Sequence, residues 1–393
     1  MTSARGRIDI HNRVLLTLAA GGTVAAAVAG FVSYAPNRLL SGQPITLWEA
    51  GSGPAVTSIG LLGAMLLAAA FISPGKMLHY AQAALAVALL LLVLAAAGQA
   101  ASAMSLGAKP AVRISLGTAF WTLAACAALA IVDALQRLGA GAVARLLTAG
   151  AIVAGVAALA VAGIFDALSI AREYANRRLL FADALSRHVA LVAGSVGLAV
   201  VIGFPLGVAA ARSPRLENPL FAALNLLQTV PSIALFGLLI VPLSALAAAV
   251  PQLAAIGVGG IGVAPAIIAL VLYALLPVVR NTAVGLAGVD RAVIEAGRGM
   301  GLTSRQIFLE VELPLALPVL LAGLRIVTVQ AIGLAVVAAL IGAGGLGTFV
   351  FEGLGQYAVD LVLLGALPAI FLALAADFIL QTLSAVLRRH LAQ

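Results

Sequence analysis

The chain has 393 residues, of which 63% are hydrophobic and 9% charged, with a mean hydropathy of +1.17. A soluble domain carries about 25% charged residues, so this composition excludes a water-enclosed globule and makes lipid the main solvent. The net charge of +8 comes mainly from arginines at the ends of apolar runs, which fits membrane orientation and makes nucleic-acid binding a poor reading.

In lipid only helices or closed barrels satisfy the backbone, and apolar runs that are long and unalternating select helices. The expected fold is therefore an all-α polytopic membrane protein. Crossing the hydrocarbon takes about 20 apolar residues. Ten candidate spans follow, at 14–33, 55–72, 78–97, 115–132, 146–166, 189–210, 219–241, 264–281, 318–341 and 360–386. The first apolar run, behind RGRIDIHNR, exceeds the ~7–15-residue core of a secretory signal and is read as a retained span.

Lys and Arg in the short loops set orientation. Arg5, Arg7 and Arg13 go inside, and alternate counting puts Lys76, Arg137, Arg145, Arg212, Arg215, Arg280, Arg291, Arg298, Arg305 and the pair Arg388-Arg389 on the same side. Both termini are then cytoplasmic, and the loops near 242–262 and 342–358 lie outside without Lys or Arg. One segment disagrees. Residues 171–188 should lie outside yet carry Arg172, Arg177, Arg178 and Arg187, partly offset by Asp166, Glu173 and Asp183. Their spacing suits an amphipathic helix on the outer surface. This segment also divides the chain, with a five-span extension over 1–170 and a five-span half over 171–393.

Several features carry little chemistry. The single Cys126 excludes an internal disulfide, and His11, His79, His188 and His390 show no metal-ligand spacing. GVGGIG at 257–262 and GAGGLG at 342–347 fit G-x-G-x-x-G. They lie at the outer ends of membrane helices, without the strand and acid that a dinucleotide site requires. No G-x-x-x-x-G-K-[ST] occurs, so this chain does not cradle ATP by a P-loop.

The second half is more specific. Gln228, Thr229, Pro231 and Ser232 interrupt a span, either because they line a translocation pathway or because they form a structural kink. Tyr273, Pro277, Arg280 and Asn281 on the next span are similar candidates, Arg280 marking the inner interface. Then comes EAGRGMGLTSRQIFLEVELP, 295–314, a charged segment between two spans. Asp290 is placed to cap a short helix, Gly301 to make a left-handed turn, and Thr303 with Gln306 to form a capping box opening a second helix. Pro314 and Pro318 should stop that helix. The expected helix–turn–helix presents Ile307, Phe308 and Val311 as an apolar ridge. Such a ridge suits a groove on a partner, or the segment is a solvated loop on the protein's own surface.

Two charges lie deeper. Arg325 is about 10 Å beyond Pro318, and Asp377 about 13 Å before Val386, at 1.5 Å per residue. An unpaired mid-span charge costs at least ~2.5–3.5 kcal/mol, so both are expected to face the protein interior and to pair. A proton relay is the alternative, but no chain of acids continues the path.

The 295–314 stretch resembles the EAA loop of ABC importer permeases, matching it at Glu295-Ala296, Gly301, Val311 and Leu313-Pro314. It departs at Gly297, where the family usually has Ala, and at Val311, where it usually has Ile. LNLLQTVPSIALFGLLIVPL (224–243), PAIIALVLYALLPVVRNTAVGL (265–286) and IGAGGLGTFVFEGL (341–354) look like permeases of the osmoprotectant branch, over roughly residues 180–390. The first five spans look like the extension carried by some members of that branch.

The resemblance implies a type I, methionine-importer-like fold. Loop 290–314 would dock into a separate ATPase, with Glu295 contacting that subunit and Gly301 making the turn. A second permease, the same or a different chain, would complete the pathway, and an extracytoplasmic solute-binding protein would dock outside. This chain would carry no cofactor, and ATP and Mg would sit on the ATPase. The implied solute is glycine betaine, choline or a similar osmoprotectant, and the implied location is the bacterial inner membrane. Trp48 and Trp121 lie in the first half, so an aromatic cage for a quaternary ammonium belongs on the binding protein. The competing readings are an importer of an amino acid or other small polar solute, an ion-coupled secondary transporter and a membrane-embedded enzyme. The secondary transporter would favour broken helices and buried acids in both halves. The enzyme would need a convergent catalytic cluster, which is not seen.

Overall fold

The computed structural model describes residues 9–38, 40–51, 53–109 and 111–391. Arg5 and Arg7 lie outside these residues, as do the side chains of Arg388, Arg389 and His390. Among the described residues, 8 helices are long and apolar enough to cross a membrane. Arg13–Val28 and Gly53–Ala69 are shorter apolar helices. The chain divides into two compact units, Met1–Asn176 and Arg177–Gln393.

In the first unit, α1 (Arg13–Val28) starts on Asn12, whose side chain accepts from the Leu15 N–H. The helix ends five residues before the expected limit of 33 because strand β1 (Gly30–Ala35) takes over. Strands β2 (Gln43–Thr46) and β3 (Arg113–Leu116) flank it, both antiparallel, in the order β2-β1-β3. This small sheet departs from the all-helical expectation. Phe31, Val32, Tyr34, Ile45 and Ile114 favour a pleated, half-buried surface, and Phe31, Val32 and Ile114 are fully buried.

The short α2 (Leu47–Ala50) leads to α3 (Gly53–Ala69) and α4 (Lys76–Ser105), and α5 (Thr118–Arg137) follows β3. Helices α1, α3, α4 and α5 share a core with the sheet, in which Phe31 meets Phe120 edge-on at 6.1 Å. At the helix ends opposite the sheet, Asn12 donates to Asp133 at 2.6 Å, and Arg137 donates to both Asn12 and Asp133. There too, buried His79 bonds Gln82 at 2.9 Å, and Gln82 donates to the Ala69 carbonyl. Helix α6 (Ala142–Val161) has no buried residue.

Helix α7 (Ser169–Arg212) bends at Arg177, which has φ −128 and ψ 21. Residues 178–188 run on without a break into the span at 189–210, so the expected surface helix is interrupted at Arg177 and its second part is the start of that span. Within the first unit, buried Glu173 takes Arg38 at 3.0 Å and Arg113 at 3.4 Å, pinning the first turns of α7 to the sheet.

The second unit continues with α8 (Pro214–Thr229), α9 (Ser232–Ala249), the short α10 (Pro251–Ala255) and α11 (Val263–Ala287). The span expected at 219–241 is thus two helices meeting at Val230–Pro231, where Pro231 withholds a backbone donor. After α12 (Arg291–Gly299) and α13 (Ser304–Gln306) comes a π-helical turn (Ile307–Glu312), then α14 (Leu313–Val337) and a 3-10 turn (Ala338–Ile341). Helices α15 (Gly347–Gly355) and α16 (Val359–Leu391) complete the chain.

Pro314 and Pro318 do not stop the helix. Leu313 donates to the Phe308 carbonyl across the wider turn, which delivers Pro314 to the first turn of α14, where its missing N–H does no harm. The core lies between α7, α11 and α14, with Val279, Val327 and Ala335 among its buried residues. Gly323 permits close approach, since a Cβ there would stand 2.5 Å from Asn281 Cβ.

Candidate functional site

The charged segment folds locally, from its own caps. The Asp290 carboxylate accepts from the Ala292 N–H at 2.9 Å, opening α12. Gly301 turns the chain at φ +82, a conformation that L side chains resist. Gln306 accepts from the Thr303 N–H at 2.9 Å, and Thr303 accepts from the Gln306 N–H at 3.4 Å, closing the capping box.

The expected apolar ridge does not project as a ridge. Ile307 is 5% exposed, and the space above Gly297 is filled by Ile307 and Leu302, each 3.6 Å from where a Cβ would stand. Phe308 and Val311 are half-buried. The two short elements therefore pack on each other, which a hairpin of this size needs in order to hold its shape. The outward face carries Glu295, Ala296 and Gly301, all exposed, with Val293 and Met300 exposed beside them. Val311, Leu313 and Pro314 are half-buried at the base. The motif thus splits into an exposed tip and a packed root.

The root has an anchor that the sequence did not single out. Glu312 is buried and paired with Arg212, the last residue of α7, whose guanidinium also lies 5.9 Å from the Phe308 ring centroid. The available signal was an acid falling on the inward side of the turn. Its partner, 100 residues away, was counted only as an orientation charge.

The membrane break is braced from α11. Pro277 has no N–H, so the Tyr273 carbonyl lacks its helical donor. Gln228 supplies one, donating from Nε2 at 2.7 Å. In return the Tyr273 hydroxyl donates to the Val230 carbonyl, at the end of α8. Asn281 donates to the Pro277 carbonyl at 2.8 Å. Thr229 is exposed, with its hydroxyl turned back on the Leu226 carbonyl at 2.7 Å. Pro231 is exposed and Ser232 half-buried. Gln228 and Tyr273 are therefore occupied in holding a broken backbone, Asn281 bonds back within α11, and Thr229, Pro231 and Ser232 lie at the break itself. Arg280 donates to Asn225 at 3.2 Å and lies over the Phe221 ring.

Arg325 and Asp377 meet in a two-pronged pair, Nε to Oδ1 and Nη2 to Oδ2, the latter at 2.9 Å. Their side chains retain 38% and 34% exposure, so the pair lies at a face of the unit rather than in its interior.

An apolar helical bundle with a self-capped polar hairpin between two of its spans has the plan of a membrane translocation subunit. The chain belongs to the family of binding-protein-dependent transport system inner membrane components, which matches residues 203–392. The N-terminal domain of the ABC transporter permease YehY matches residues 12–171. The carnitine transport permease protein OpuCB of Listeria monocytogenes is 43% identical over 197 residues, covering 50% of this chain and 83% of that one. The osmoprotectant import permease protein OsmW of Salmonella typhimurium is 45% identical over 201 residues, covering 51% of this chain and 88% of that one. A solved structure of the MetNI methionine ABC transporter in inward-facing conformations aligns with a TM-score of 0.47 at 24% identity, covering 54% of this chain and 98% of that one.

Proposed function

We propose that this chain is the permease subunit of an ATP-driven importer for an osmoprotectant such as glycine betaine or choline. The permease domain is residues 171–393, preceded by the membrane extension 1–170. The observation that carries the reading is the hairpin of α12, α13 and the π turn, with Glu295 and Ala296 offered at its tip and Glu312 tied down at its root. The relatives named for carnitine and osmoprotectant transport, at 43% and 45% identity, support the class of solute.

The hairpin faces the cytoplasm and seats in a separate ATPase chain, which holds ATP and Mg. A second permease, either another copy or a different chain, completes the pathway, and a solute-binding protein delivers from the other side. Both termini lie in the cytoplasm and the assembly sits in the inner membrane. A change in the ATPase contacts biases the membrane helices only if it reaches them through stiff connections. Two such connections leave the hairpin. One is the helical path through the π turn into α14, and the other is the Glu312–Arg212 pair into α7. Rearrangement at the Val230–Pro231 break then opens the pathway beside Thr229, Pro231 and Ser232.

Charge reversal at the tip tests the reading. Glu295→Lys should abolish osmolyte uptake while the protein stays inserted and abundant, and the ATPase should no longer copurify. Normal uptake in that variant sinks the proposal.

A further inference from the structure

Arg325 and Asp377 have a use that pairing alone does not explain. Both stand well inside their helices. At 1.5 Å per residue Arg325 is about 18 Å from the start of α14, and Asp377 about 27 Å from the start of α16. Other ion pairs among the described residues, such as Arg212–Glu312, Arg137–Asp133 and Arg177–Glu352, stand near helix ends or bends. A pair at this depth would be costly against lipid, yet a third of each side chain is open. The opening is a groove lined by Ala322, Ile326, Val329 and Gln330 as well as the pair itself. The groove walls are mostly apolar, with the charged pair and Gln330 as their polar groups, a setting that suits the methyl groups of a quaternary ammonium beside a charge.

We propose that this pair is a binding subsite for a zwitterionic solute bearing a carboxylate and a quaternary ammonium. This rests on the importer reading above. The pairing engages Nε and one terminal nitrogen of the guanidinium, so the other terminal nitrogen keeps donors for an incoming carboxylate. The Asp377 carboxylate keeps free lone pairs and its charge, toward which an ammonium without N–H groups is drawn by Coulomb attraction alone. A zwitterion laid antiparallel along the pair meets both charges without separating them. Gln330, on the same groove, adds a neutral donor and acceptor. A solute carrying only the ammonium finds an aspartate already offset by arginine, so the subsite favours zwitterions over simple cations.

The test uses the full chain in membrane vesicles with Cys126→Ala, leaving Val329→Cys as the sole thiol. A water-soluble thiol reagent should modify Val329→Cys. Glycine betaine at twice its dissociation constant should slow that reaction about threefold, and choline at the same concentration should leave it nearly unchanged. The double variant Arg325→Gln/Asp377→Asn can keep a neutral side-chain bond between the helices, and in it the protection should vanish. Modification by membrane-soluble reagents alone would place the groove against lipid and overturn the proposal. Equal protection by choline, or protection that survives the double variant, would do the same. The importer reading fails separately, if the assembled complex shows no ATP-dependent uptake of any osmolyte.

Discussion

Replacing Gln228 by alanine removes the donor that serves the carbonyl freed by Pro277. Tyr273 is 6% exposed, so water is a poor substitute, and an orphaned buried acceptor costs about 1–3 kcal/mol. Replacing Pro277 by alanine instead restores a backbone N–H four residues beyond Tyr273. In that background Gln228→Ala should cost well under ~1 kcal/mol, because the helix supplies the bond. The four proteins form a double-mutant cycle with an expected coupling of about 1–2 kcal/mol. Unfolding of the purified protein in mixed detergent micelles, titrated with a denaturing detergent, measures it. An equal loss on removing Gln228 in both backgrounds would refute the brace. A loss of uptake without loss of stability would make Gln228 a pathway group instead.

Arg212→Ala leaves Glu312 buried without its cation. Breaking a fully buried pair costs about 3–5 kcal/mol, but the Arg212 side chain is 53% exposed, so about 1–2 kcal/mol is expected. Adding Glu312→Gln should recover part of it in the same titration. Gly301→Ala meets no atom within 4 Å, so only the left-handed backbone is penalised, by about 1–2 kcal/mol. Uptake should fall modestly and in step with the loss of copurifying ATPase. Gly323→Ala forces its new methyl against Asn281 and should cost about 1–3 kcal/mol, visible as a lowered midpoint of thermal aggregation in detergent.

The hairpin was legible because its determinants are local. Asp290 with Ala292, and Thr303 with Gln306, lie within one turn of each other, and Gly301 is tied to a single backbone conformation. Arg325 and Asp377 were legible for a different reason, since charge in hydrocarbon demands a partner and few were available. The sheet was hidden because strands of four to six residues leave little periodic signal beside apolar helices. Pro314 and Pro318 misled because a proline rule assumes ordinary α winding, whereas the turn before them is wider. The Arg212–Glu312 and Gln228–Tyr273 contacts join segments 100 and 45 residues apart, and nothing local to one partner names the other. For the same reason, the residues interrupting the span could be read as pathway or kink, but not sorted between the two.

Helix α6, with no buried side chain, has a consequence for how its sequence can vary. About half of its positions are exposed and half are half-buried, and the exposed ones answer to solubility in hydrocarbon and scarcely to shape. Exchanges among Ala, Val and Leu at the exposed positions should be almost silent, whereas Ile152 packs against the core of the first unit. Gly155 is the tightest point, because a Cβ there would come within 2.6 Å of Leu91. A library randomised over apolar residues along 142–161 should therefore yield functional proteins freely at the exposed positions, with tolerance narrowing on the packed side and collapsing at that glycine.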